Sequence, residues 1–322
     1  MAQVQPSGGV LNGGTKPRII VSTDIGGNDA DDFQSMVHLM VYADMFDIEG
    51  LVSSPPYGGR KADILEVIDA YEADYANLSS YSSDYPTHNS LRNVTEQGAI
   101  NVQSGTTPPS NISAGAQLII DRANASDSRP LYVLVWGSIT DVAQAVHKQP
   151  SIKNKIRVYS IASWNTWQDP KSRDYLYDNH SDMWWIENNT TFRGMYLGGT
   201  QSGQYSNTSF VSQHIDGHGS LGNLFENKKA DIKMGDTPSL LYLMTGDPND
   251  PLSDSWGGRF RTDSHGSNYW KDRDEENLKE DGKKGAKTVN QWRVNYLDDW
   301  EIRMDRAQSA NGGTPPTTYT LT

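Results

Sequence analysis

The chain contains no cysteine. That absence excludes disulfides, thiolate zinc sites, iron–sulfur clusters and a Cys nucleophile. Long apolar runs are missing too, and nothing approaches the roughly 18 residues that a membrane-spanning helix requires. Positive charge is scarce: 28 Lys and Arg stand against 40 Asp and Glu, for a formal net charge of -12. This balance argues against nucleic acid or an anionic membrane as a partner. It leaves a neutral sugar or a cation open. Apolar residues are only 35% of the 322, but 9 Trp, 16 Tyr and 6 Phe add bulk, so a full core is expected rather than disorder.

The opening residues, MAQVQPSGGVLNGGTKP, lack the apolar stretch of a signal peptide and fit a mature terminus behind an added Met. N-x-[ST] sequons begin at Asn77, Asn93, Asn111, Asn124, Asn179, Asn188, Asn189 and Asn207. Their excess over composition points to a secreted eukaryotic glycoprotein.

Short β-rich runs alternate with helical periodicity. Residues 18–22, 47–53, 131–135 and 156–161 read as strands, and 33–46, 61–76, 114–123, 140–146 and 292–304 as helices. This order predicts an α/β fold, an open, mostly parallel sheet flanked by helices. Residues 77–110 read as a long loop with one helical turn. Between 163 and 275 the pattern breaks into Trp-rich polar stretches, with 239–244 the one clear apolar element there. The organisation expected is a flexible lead over 1–16, one domain over 17–306 and a flexible tail over 307–322.

The sharpest chemical signal is Asp24, Asp29, Asp31 and Asp32, directly after the first predicted strand. In open parallel sheets, sites form at the carboxyl ends of strands. Crowded carboxylates raise one another's pKa unless a positive group sits among them. A hard divalent cation suits such oxygens, although the spacing is not that of an EF-hand loop. The bland alternative is that Asp29 and Asp31 face solvent while Asp32 caps the helix. Two further polar sets stand out. One is His214 to Gly219 followed by Gly235-Asp236-Thr237-Pro238, where Asp236 is either a ligand or a cap. The other is Glu187 to Gly194 after Trp184-Trp185, a sugar-binding or glycosylated loop. His214 and His218 are spaced for zinc, but no H-E-x-x-H is present.

Taken together, VSTDIGG…DADD, DIEGLVSS and VLVWGSITDVAQAV resemble the nucleoside hydrolase superfamily. Within it, the chain is most similar to the nucleoside-hydrolase-like domain of secreted "cellulose-binding" proteins. Asn28 to Asp32, Glu187 to Gly194, Gly217 to Gly222 and Gly235 to Ser239 carry that closer likeness, which spans about residues 17–306. The resemblance implies a Ca2+ ion held by Asp24, Asp32, Asp236 and the Trp136 carbonyl. It makes Asp24 the base for water and has Asp31 bind sugar hydroxyls. The leaving-group acid is left unassigned, with Asp29, His218, His214 and Glu187 as the candidates. Trp164, Asn165, Glu187, Asn188, Arg193 and His214 are expected to contact substrate.

The departures bear on substrate. Ser22 stands where nucleoside hydrolases carry their first Asp, and Pro55-Pro56-Tyr57-Gly58-Gly59 replaces the Gly-Asn after the second strand. The expected activity is therefore a secreted, calcium-dependent glycosidase acting on a plant-cell-wall-type oligosaccharide or glycoside. A carbohydrate-binding protein without turnover and an N-ribosyl nucleoside hydrolase are the alternatives. The expected partner is a carbohydrate, with neither nucleic acid nor membrane. The oligomeric state stays open, a homodimer included.

Overall fold

A computed structural model describes residues 15–27, 30–56 and 60–310. Eight strands form one sheet: β1 (Arg18–Thr23), β2 (Asp47–Ser53), β3 (Thr95–Gln97), β4 (Leu131–Val135), β5 (Ile156–Ile161), β6 (Trp184–Asn188), β7 (Phe260–Asp263) and β8 (Gly266–Asp272). Their order is β3-β2-β1-β4-β5-β6-β8-β7, parallel throughout except for the β7–β8 hairpin. The helices are α1 (Asp31–Val41), α2 (Lys61–Ser79), α3 (His88–Asn93), α4 (Ala114–Ala123), α5 (Thr140–Lys148) and α6 (Trp164–Gln168). They continue with α7 (Pro170–Asn179), α8 (Asn207–His214), α9 (Gly219–Lys228), α10 (Pro238–Met244), α11 (Lys287–Asn290) and α12 (Arg293–Gln308).

The sheet is buried on both faces, which is why its central strands read as continuous apolar runs rather than alternating ones. Ile19, Val21, Tyr132 and Leu134 point into one core, shared with α1, α2, α8, α9, α10 and α12. Ile20, Leu131, Val133 and Val135 point into the other, shared with α4, α5 and α7. The mostly parallel α/β architecture expected from the periodicity is the one observed. No described helix is long and apolar enough to cross a membrane.

Two stretches hold more structure than their sequence suggests. The segment over 77–110, read as a loop with one helical turn, contains the end of α2, then α3 as that turn, and β3. The stretch 163–275, where the pattern breaks into Trp-rich polar segments, contains β6, β7, β8 and five helices, α6 to α10. β6 (WWIEN) escaped notice because it ends in Glu187 and Asn188, yet both are buried and fully partnered. At the C-terminal edge, α12 runs to Gln308, two residues beyond the expected domain limit. Residues 1–14 and 311–322, read as lead and tail, lie outside the described residues.

The chain reverses its direction of sheet growth between β1 and β4. β2 and β3 lie to one side of β1, and β4, β5 and β6 follow on the other. The crevice at such a switch point is where open parallel sheets bind ligands. Asp24 is the residue after β1 and Trp136 the residue after β4, so both stand at its mouth.

Candidate active site

A cavity of about 340 Å³ opens at this switch point. Its floor is acidic. Asp24 leaves β1, Asp31 and Asp32 open α1, and Asp236 precedes α10; all four line the cavity. Carboxylate oxygens of Asp31, Asp32 and Asp236 lie within 4.8 Å of one another. Asp24 stands beside this group, close enough to Asp32 for each carboxyl to influence the other's ionisation. Asp32 also accepts a hydrogen bond from Thr23 Oγ1.

The capping alternatives fail on geometry. The residue before α1 is Ala30, with no side-chain cap, and the N-cap of α10 is Thr237, also without one. The carboxyls of Asp32 and Asp236 instead face the cavity, and the two residues are only 6% and 4% exposed.

Burial and mutual repulsion push all four carboxyls upward. Asp24 is raised to about 7, chiefly by burial and then by the charge of Asp31. Asp31 rises to about 7, again by burial first and then by Asp32. Asp32 and Asp236 are pushed well above the carboxylate range by burial and by their acidic neighbours. Two buried carboxyls, Asp32 and Asp236, beside the half-buried Asp24 and Asp31, with this little compensation, form a donor set that fits a hard divalent cation. Asp31 stands in the three-carboxylate group where the resemblance implied Asp24.

The frame around the floor is tightly specified. Gly137 follows Trp136, and a Cβ there would meet the Asp24 backbone nitrogen and Cβ at 2.8 Å. The Trp136 indole donates to Ser239 Oγ at 2.8 Å, and Ser239 Oγ donates to the Asp236 carbonyl at 2.7 Å. This links the end of β4 to the start of α10. Asn165 Nδ2 donates to the carbonyls of Trp136 (2.7 Å) and Ile161 (2.9 Å). A carbonyl has two lone pairs, so that of Trp136 retains one.

The walls come from two loops. Ser163, at φ 56°, holds a backbone region that a non-glycine residue rarely adopts. Its strained turn launches α6, which presents Trp164 to the cavity and leaves Trp164 and Trp167 54% and 67% exposed. The two rings lie against each other, 4.6 Å between centroids. The second loop, 189–196, supplies Phe192, Arg193 and Tyr196. Asp272 on β8 pins it by accepting from the backbone N–H groups of Asn189 (3.0 Å), Thr190 (3.0 Å) and Thr191 (2.8 Å).

Of the residues expected at the site, Asp24, Asp31, Asp32, Asp236, Trp136, Trp164, Asn165 and Arg193 line the cavity. Four others do not, and each is engaged elsewhere. Glu187 forms a two-pronged pair with Arg173 at 2.8 and 2.9 Å and accepts from Tyr269. Asn188 is buried, donating to Tyr159 and accepting from the Phe192 N–H at 3.0 Å, so it shapes the loop and is no surface glycan acceptor. His214 pairs with Glu301 at 2.9 Å and His218 with Asp305 at 3.3 Å, both on α12. Asp29 lies outside the described residues. Phe192, Tyr196 and Lys233 were not anticipated, although the first two flank Arg193 and the third lies two residues before Gly235.

Comparison with known proteins agrees with this architecture. Residues 18–260 match the family described as cellulose-binding Sde182, nucleoside hydrolase-like domain. No curated protein matches the chain. Among solved structures, a nucleoside hydrolase-related protein from Saccharophagus degradans, associated with carbohydrate metabolism, shares 27% identity at a TM-score of 0.72, over 92% of this chain and 73% of its own. The purine-preferring ribonucleoside hydrolase of Gardnerella vaginalis shares the fold at 13% identity and TM-score 0.52, over 90% of this chain and 99% of its own. The inosine-uridine preferring nucleoside hydrolase of Bacillus anthracis does so at 12% and 0.51, over 88% and 99%. An acidic floor of this kind on this fold supports hydrolase activity. The chain belongs to the family of nucleoside-hydrolase-like domains of the cellulose-binding Sde182 type.

Proposed function

We propose that the protein hydrolyses the bond between a sugar and a flat, nitrogen-linked leaving group, as in a nucleoside, with a divalent cation, calcium first, on the acidic floor. One observation carries the choice of leaving group. Among the described residues, no histidine and no carboxylic acid lines the cavity apart from the floor itself, and the walls offer only the weaker acids Tyr196 and Lys233. An O-glycoside leaves as an alkoxide and needs a positioned proton donor. A nucleobase spreads the departing charge over its ring and needs one less. The volume supports a compact substrate too, since about 340 Å³ is near the lower end for small-molecule sites. This reading places a nucleoside-type compound ahead of the wall oligosaccharide expected from the departures in sequence.

Asp31, Asp32, Asp236 and the Trp136 carbonyl are the groups that would hold the cation. When bound, such an ion lowers the pKa of water and binds sugar hydroxyls. Asp24, outside the three-carboxylate group, is left to take the proton of the attacking water. The carboxylates below the sugar stabilise the positive charge that develops on its ring. Phe192, Tyr196 and Trp164 offer faces for the leaving group and exclude water from it.

A second reading rests on the exposed Trp164–Trp167 pair, which suits stacking on the rings of a longer glycan. One experiment separates the two. Release of ribose from inosine and uridine is measured beside release of reducing ends from cello- and xylo-oligosaccharides, with calcium and with chelator. Ribose release that chelator abolishes is the expected result. Turnover of oligosaccharides alone would replace the first reading with the second, and no turnover with retained glycan binding would leave a binding protein. We further propose an extracellular setting, for which the remaining sequons are the support; glycan mapping of protein from its native source is the check.

A further inference from the structure

The cavity contains a positive group that its floor does not explain. Arg193 lines it, yet the described residues place no carboxylate within ion-pair distance of its guanidinium. The side chain lies against Phe192, 5.0 Å from guanidinium carbon to ring centroid, and donates through one terminal nitrogen to Tyr196 Oη at 3.1 Å. Its Nε is buried without a partner. In a chain of net charge -12, most other guanidinium groups have found an acid: Arg18, Arg92, Arg129, Arg173, Arg259, Arg261, Arg273, Arg303 and Arg306 all pair with carboxylates. Arg193 has none, although it stands at the wall of an acidic pocket.

We infer that the substrate carries an oxyanion group, a phosphate ester or a carboxylate, which pairs with Arg193 while the sugar occupies the acidic floor. The guanidinium can offer two parallel N–H donors, which match a pair of oxygens on either group. The loop that carries Arg193 is clamped by Asp272 at its start and by the Asn188 side chain at Phe192, so the fork is presented from a fixed backbone. Lys233 lines the same cavity. The inference rests on the sugar-binding half of the proposed function, and it is tested by binding so that it does not depend on turnover.

Calcium-loaded protein is titrated calorimetrically with ribose and ribose 5-phosphate, and with glucose and glucuronate. The wild type is compared with Arg193→Gln and Arg193→Lys, after thermal melts establish folding. At least one anionic sugar should bind about tenfold or more tighter than its neutral partner, the range of a charge-assisted hydrogen bond. Arg193→Gln should erase that preference and Arg193→Lys keep part of it. Preference for the phosphate alone, the carboxylate alone or both identifies the source of the oxyanion. Equal affinity for neutral and anionic sugars in the wild type overturns the inference, and so does a preference that survives Arg193→Gln. If Arg193→Gln does not fold, the wild-type pairs and Arg193→Lys still decide. Anion preference without hydrolysis of any substrate would defeat the hydrolase reading alone, whereas hydrolysis of neutral nucleosides without anion preference would defeat this inference alone.

Discussion

Replacing Asp32 by Asn should stabilise the metal-free protein at alkaline pH, the opposite of what removal of a buried hydrogen-bonded side chain normally does. Asp32 is 6% exposed and shares the floor with three other carboxyls. An acid whose folded pKa lies above its unfolded value binds protons more tightly when folded. The stability this contributes is present below the unfolded value, 3.8, and is lost as pH rises through the folded one, about 7 for Asp24 and Asp31. A carboxyl held at about 7 instead of 3.8 costs roughly 4 kcal/mol when fully ionised. The cavity is open to solvent and the repulsions are shared, so about 2 kcal/mol is expected from neutralising one member of the cluster. At roughly 2 °C per kcal/mol for a chain of this size, Asp32→Asn should melt about 4 °C above wild type at pH 8 in chelator. The advantage should shrink toward pH 5.5, as the wild-type carboxyls take up protons. Calcium reverses the order. At about a hundredfold over its Kd it adds roughly 2.7 kcal/mol to wild type, and it should add little to the variant. Thermal melts of both proteins from pH 5.5 to 8, with chelator and with calcium, test this. A variant less stable than wild type at pH 8 in chelator, or equal calcium stabilisation of the two, would refute the crowded-carboxylate argument.

Other substitutions separate residues that touch the site from those that support it. Gly137→Ala drives a methyl group into the Asp24 backbone, so calcium affinity by calorimetry should fall at least about tenfold. Glu187→Gln breaks a buried pair with Arg173 and should cost about 3–5 kcal/mol in chemical denaturation, while ligand affinity at moderate denaturant-free temperature stays unchanged. A parallel loss of affinity would return Glu187 to the site. Asp272→Ala leaves three backbone N–H groups of the 189–191 turn without their acceptor. It should cost about 2–4 kcal/mol and also weaken substrate binding, and a stability loss with affinity intact would show that the turn does not set the position of Phe192 and Arg193.

Much was legible in the residue order because it is local. β2, β4, β5 and α4 begin and end where their apolar periodicity says they do, since a strand buried on both faces leaves a continuous run and a helix a repeating one. Asp24, Asp31 and Asp32 were visible for the same reason, all lying within a few residues of one strand end. β6 was not legible. Its polar end is buried only because Arg173, Tyr269 and Tyr159, distant in sequence, satisfy Glu187 and Asn188. His214 and His218 looked chemical in the sequence, but α12 supplies Glu301 and Asp305 to hold them away from the cavity.

The sequence by itself determined the parallel α/β layering and the acidic turn after the first strand, because periodicity and chain proximity need no partner to be read. Only the tertiary structure decided which polar residues are chemistry and which are scaffolding. Asp236 lies about two hundred residues from Asp32, yet meets it across the switch point between β1 and β4. Glu187 sits a few positions from Arg193 and is sealed in an ion pair, while Arg193 faces the cavity. Burial and pairing are set by what packs against a side chain, and that depends on contacts between segments far apart in the chain.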